Sequence, residues 1–242
     1  MMGNLIKYEF RKTMALKGII LVITAIFEAM FLIGIGADND DMIGLSVVLL
    51  CIIAICGIFI TGVFGIYTLS KDLNTKRSYM LFMTPHSSYS ILGAKLIENA
   101  TSIFLCGFFF ILIEFIDITS LLSHYGELED LLSFIREFFG YAYIDASDWI
   151  LAGVDSLIVW TFIIVVGFFS VVLSSSVLTG RKFNGLISLI LFIFIIIYSI
   201  KIYLALDEAI SFSDLFCVFY FVMLSCIMYI ISAWIMDNKL SV

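Results

Sequence analysis

Six stretches of this chain are apolar on every side for 20 residues or more, and they leave little freedom in what it can fold into. They run over 18–37, 43–69, 91–118, 151–178, 185–204 and 215–236. At about 1.5 Å of rise per residue, each is long enough as a helix to cross a hydrocarbon core of about 30 Å. Transmembrane β-strands alternate polar and apolar residues, and these runs do not, which argues against a barrel. The one proline, Pro85, lies between runs and interrupts none of them. Of the 242 residues, 62% are hydrophobic and 14% charged, with a mean hydropathy of +1.15. A soluble domain is about 25% charged and could not bury so much apolar surface. The expected fold is all-α and integral to a membrane, with six transmembrane helices.

Lysine and arginine set the orientation. Lys7, Arg11, Lys12 and Lys17 precede the first run; Lys71, Lys76, Arg77 and Lys95 flank the second connector; Arg181 and Lys182 lie in the fourth, and Lys239 in the tail. Of 13 basic residues, only Arg136 and Lys201 fall on the other side. Both termini are therefore expected in the cytoplasm, with 237–242 as a cytoplasmic tail. The opposite face is acidic, carrying Asp38, Asp40, Asp41, Glu127, Glu129, Asp130, Glu137, Asp145, Asp148, Asp207, Glu208 and Asp214. The net charge of −7 is thus an inside–outside dipole, and it speaks against nucleic acid as a partner. The five cysteines all lie inside apolar runs, so no disulfide framework is expected. The first run is long enough to span and has no small-residue cleavage site after it, so a cleavable signal is not expected either. The longest outer connector, 124–149, reads as an amphipathic helix on the bilayer surface, with Leu128, Leu131, Leu132, Ile135, Phe138 and Phe139 on one side. A substrate-contacting lid is the alternative.

Motifs for catalysis do not assemble. Gly180-Arg181-Lys182 lacks the glycine-rich cradle and the following Ser/Thr of a phosphate loop. His86 and His124 fall on opposite sides of the membrane and cannot share a metal. No nucleophile elbow is present. Neither catalytic residues, nor a metal site, nor a bound cofactor is expected in this chain.

Three features remain. Residues 1–17 form a basic amphipathic helix on a wheel, with Met2, Leu5, Ile6, Phe10, Thr13 and Met14 against Lys7, Tyr8, Arg11 and Lys12. Such a helix would lie in the headgroup layer before the first span. Glu9 falls inside its apolar arc, so its carboxylate should have a polar partner. The second feature is the connector 71–90, where Tyr79-Met80-Leu81-Phe82-Met83 follows a charged half and precedes Thr84-Pro85. An exposed apolar cluster on a loop marks a docking surface, or else packs on the protein's own helix ends. The third is charge at membrane depth. Glu28 lies about 15 Å past Gly18 by helical rise, where a carboxylate costs at least about 2.5–3.5 kcal/mol unless neutralised, paired or facing water. Glu114 and Asp117 share a face of the third run, and Lys201 is a cation of comparable depth. Either Lys201 pairs with one of them, or the carboxylates line a path or a dimer seam.

The segment N-L-I-K-Y-E-F-R-K-T at 4–13 resembles the elbow helix of the type-2 ABC transporter permease family. So does K-D-L-N-T-K-R-S-Y-M-L-F-M-T-P-H-S-S-Y-S-I-L-G-A-K-L at 71–96, between spans two and three, where that family carries its coupling helix. Six spans with both ends inside also match. The resemblance implies a permease subunit of a bacterial exporter in the cytoplasmic membrane, working with a second permease subunit and two ATP-binding subunits that hold ATP and magnesium. It implies that Lys7, Arg11, Asp72, Lys76, Arg77, Tyr79, Phe82 and Met83 meet the ATPase. The family's re-entrant hairpin between spans five and six has little room in Asp207–Asp214. The acidic outer face would attract cationic amphipathic substrates such as antimicrobial peptides; lipids and hydrophobic drugs are equally compatible. A membrane anchor or sensor subunit without a transport path is the alternative function.

Overall fold

The structure, a computed structural model, describes residues 2–74, 87–125, 146–177, 184–210 and 214–240. These residues form six helices: α1 Met2–Gly36, α2 Asp40–Asn74, α3 Ser88–Tyr125, α4 Ala146–Val177, α5 Asn184–Ile210 and α6 Asp214–Ile235. The last continues into a π-helical turn, Met236–Leu240. All six are long and apolar enough to cross a membrane. The architecture is therefore that of a multi-pass membrane protein.

Each apolar run lies within one helix to within a residue, and most helices outrun it at the polar ends. The elbow expected over 1–17 is not a separate element, because α1 is continuous from Met2 to Gly36. A lone Gly18 costs a helix only about 1 kcal/mol, and no proline or capping residue stands beside it. α5 likewise runs unbroken to Ile210, which leaves no re-entrant turn before that point. The outer segment 126–145 and the connector residues 75–86 lie outside the described residues.

The chain divides into two compact units. Unit 1 comprises Met1–Thr13, Thr61–Thr101 and Val154–Val242. Its core is α4, the most buried helix, with Phe162, Val166, Phe168 and Val172 almost wholly enclosed. Phe162 stacks on Phe221 of α6 at 4.9 Å between ring centres, and Tyr220 donates a hydrogen bond to the Ser199 carbonyl of α5 at 3.0 Å. α2 and α3 approach closely because residue 65 is glycine: a Cβ there would fall inside the Asn99 side chain, which instead donates to the Gly62 carbonyl at 3.2 Å.

Unit 2 comprises Met14–Ile60 and Ser102–Gly153. The α1–α2 turn is locally determined. Asp38 takes the left-handed conformation, with φ of 50°, and the Asn39 side chain accepts from the Met42 amide at 3.2 Å, capping α2. Phe31, Ile43 and Leu50 form the buried cluster of this unit, with Phe27, Ile35 and Leu121 packed around it.

Candidate functional site

The densest polar construction lies in unit 1, around the two roots of the 75–86 connector. Glu9 and Lys12 project from α1, Asp72 from the last turn of α2, and Lys95 from the second turn of α3. The Lys95 ammonium, only 3% exposed as a residue, donates to Asp72 Oδ2 at 2.6 Å and to Glu9 Oε1 at 2.9 Å. Lys12 donates to both Asp72 oxygens at 2.7 and 2.6 Å and lies 3.9 Å from Glu9. Two ammonium groups thus face two carboxylates, and each carboxylate touches both cations. Beside them, Thr13 donates to Glu98 Oε1 at 2.7 Å.

A buried set of charges contributes little net stability, because desolvation offsets the attraction. What it does is fix geometry. Any displacement of α1, α2 or α3 that separates one pair leaves an uncompensated charge inside the protein.

A neutral network braces the same end of α2. The Asn74 side-chain oxygen accepts from Asn184 Nδ2 of α5 at 2.5 Å and from the Ser175 hydroxyl of α4 at 3.3 Å. Ser174 donates to the Asn184 carbonyl at 3.0 Å and also pairs with its side-chain oxygen. The root at α3 is held in turn by α6. The Ser88 amide donates to Asp237 at 3.3 Å, and the Tyr229 hydroxyl to the Tyr89 carbonyl at 2.7 Å. Asp72 and Asn74 on one side, and Ser88, Tyr89 and Lys95 on the other, therefore bond to α1, α4, α5 and α6 as well as to each other's helices.

These positions sort the residues expected from sequence. Lys7 and Arg11 are exposed on α1. Asp72 is not. Its carboxylate is buried and bonded to Lys12 and Lys95, so it belongs to the internal frame of the helices. Lys12, expected on the lipid-facing basic side, turns inward for the same reason. Lys76, Arg77, Tyr79, Phe82 and Met83 lie outside the described residues. Glu9 does find the polar partner its position demanded, in Lys95. Sequence reasoning missed the role of Lys95, which read as one more topology-setting lysine, and of Glu98. The available signal was that both sit inside an apolar run rather than beyond its end.

In unit 2, Asp117 is buried and Glu28 half-buried, while Glu114 is exposed. Asp117 meets Glu28 and Glu114 within this unit. Lys201 is exposed on α5, in unit 1. Within unit 2, Asp117 therefore sits among other carboxylates. Unit 1 also holds an apolar cavity of about 490 Å³ between α3, α4 and α6, walled by residues such as Leu96, Ile97, Leu157, Ile158 and Val222, with Thr161 and Ser225 as polar points.

Comparison of the chain with family models, with curated proteins and with solved structures finds no match.

Proposed function

We propose that this chain is the permease subunit of an ATP-driven exporter of the type-2 ABC class, worked by a separate ATP-binding subunit that docks on the 71–90 connector. The observation that carries this reading is the bracing of the connector. Both of its roots are bonded into a frame reaching all six helices. A push on a connector rooted this way moves helices rather than being absorbed in a loose loop. An anchor or sensor without a transport path needs no such frame. The positive-inside bias supports a cytoplasmic connector and cytoplasmic termini; the exporter reading adds the bacterial cell membrane, with ATP and magnesium held by the partner. Two copies, or this chain and a homologous one, would work with two ATP-binding subunits.

The substrate class proposed is amphipathic, with cationic peptides first. The acidic outer face attracts cations, and the apolar cavity of about 490 Å³ suits a hydrocarbon or apolar side-chain segment.

The test is co-purification of the tagged chain, expressed in its own cell, with an ATP-binding-cassette protein. Tyr79→Asp with Phe82→Asp abolishes the association, at unchanged chain abundance in the membrane. Undiminished binding by this variant would refute the docking surface.

A further inference from the structure

Glu28 on α1 and Asp117 on α3, both in unit 2, lie within hydrogen-bonding reach of each other. Asp117 is 8% exposed. Asp117 Oδ1 and Glu28 Oε2 are each shielded from solvent and lack a hydrogen-bond partner. Over the corresponding stretches of α1, α2 and α3 the sequence has no basic residue. On α1, Glu28 is the only charged residue between Lys17 and Asp38; on α2, none occurs between Asp41 and Lys71; on α3, only Glu114 lies between Glu98 and Asp117. His124 and Tyr125 are two turns further along α3, and Tyr67 on α2 with the thiols Cys51, Cys56 and Cys106 complete the titratable groups of these segments.

Two ionised carboxylates cannot face each other in a low-dielectric medium, because each loses its hydration and repels the other. One proton removes both difficulties. A protonated carboxyl is a donor as well as an acceptor, so a single O–H···O bond between the two groups gives the pair the donor that two ionised carboxylates lack. A metal cation would ask for more oxygens than two carboxylates supply. Among the described residues no group of three metal-type side chains comes together.

We infer that Glu28 and Asp117 form a proton-binding site within the membrane. The pair takes up one H⁺ from water onto a carboxylate oxygen and holds it in a hydrogen bond to the other carboxyl. Release is the reverse, and no other bond forms or breaks. Glu114, exposed one turn away, stays outside the bond. The site is independent of the exporter reading and holds whether or not an ATPase docks.

The test uses the full chain in lipid nanodiscs and infrared difference spectroscopy across a pH titration. At neutral pH the wild type shows the carbonyl stretch of a protonated carboxylic acid, which shifts in D₂O. Glu28→Gln and Asp117→Asn each lose that band, and Glu114→Gln keeps it. A hydrophobic carbodiimide, which reacts with protonated carboxyls, assigns the site in the wild type without any substitution: mass spectrometry finds the adduct on Glu28 or Asp117, and its yield falls as pH rises. Absence of the band at neutral pH, or an adduct on neither residue, overturns the proposal. Loss of the band on adding sodium, potassium or magnesium at constant pH also overturns it, in favour of a cation site.

Discussion

The two buried charge clusters solve one problem in opposite ways. In unit 1, Glu9 and Asp72 are compensated by Lys12 and Lys95, with contacts as short as 2.6 Å. In unit 2, Glu28 meets Asp117, no ammonium is among the groups acting on Asp117 in the described residues, and an oxygen on each lacks a partner. The difference lies in what each cluster can exchange. A lysine partner is covalently fixed, so the unit 1 network is a permanent joint between α1, α2 and α3. A proton can leave, so the unit 2 pair can alter its charge without moving a helix. The fixed joint lies at the roots of the connector, where the proposed function calls for rigidity; the exchangeable pair lies within the spans.

Removing a cation from the fixed joint should have the largest effect. Lys95→Met keeps most of the apolar stem but leaves Lys12 alone to face Glu9 and Asp72. Breaking a buried pair by deleting one partner costs about 3–5 kcal/mol, read as a lower denaturation midpoint of the purified chain in detergent. Adding Glu9→Gln restores the balance of charge and should recover part of the loss, with a coupling of about 0.5–3 kcal/mol. A loss below about 1 kcal/mol for Lys95→Met would mean the joint is not built as described.

A smaller effect is expected at the edge of the same joint. Thr13→Val preserves shape and removes the hydroxyl that donates to Glu98 at 2.7 Å. A hydrogen bond to a charged group contributes about 1.5–3 kcal/mol, so the same unfolding measurement should register a loss in that range. Thr13→Ser, which keeps the donor, should lose less. Equal losses for the two variants would assign the effect to packing.

The spans were legible because lipid imposes a one-dimensional rule: a run of 20 or more apolar residues is readable without knowing its neighbours. The polar helix ends obey no such rule. The Lys71–Asn74 stretch reads as connector, yet it completes α2, because Asp72 and Asn74 are held by other helices. The need at Glu9 was visible on a helical wheel, but its partner Lys95 lies 86 residues away. Choosing Lys95 over the other connector cations requires knowing how α3 is rotated. Helices that are apolar all round give no such signal, since a wheel without a polar face has no preferred orientation. For the same reason Glu28 is legible as a buried carboxylate, while its meeting with Asp117 is not.

The smallest effect belongs to the exchangeable pair, and its smallness is the informative part. Asp117→Asn is nearly isosteric, and its side-chain amide can donate to the Glu28 carboxylate where the proton stood. The hydrogen bond survives in kind and the repulsion is gone, so stability should stay within about 1 kcal/mol of wild type in the assay that penalises Lys95→Met. Asp117→Leu keeps the volume and deletes the donor. It leaves the Glu28 carboxyl without a partner and should cost about 1–3 kcal/mol. Were Asp117→Asn instead as damaging as Lys95→Met, the pair would need its negative charge, and a fixed cation would have to be sought beside it.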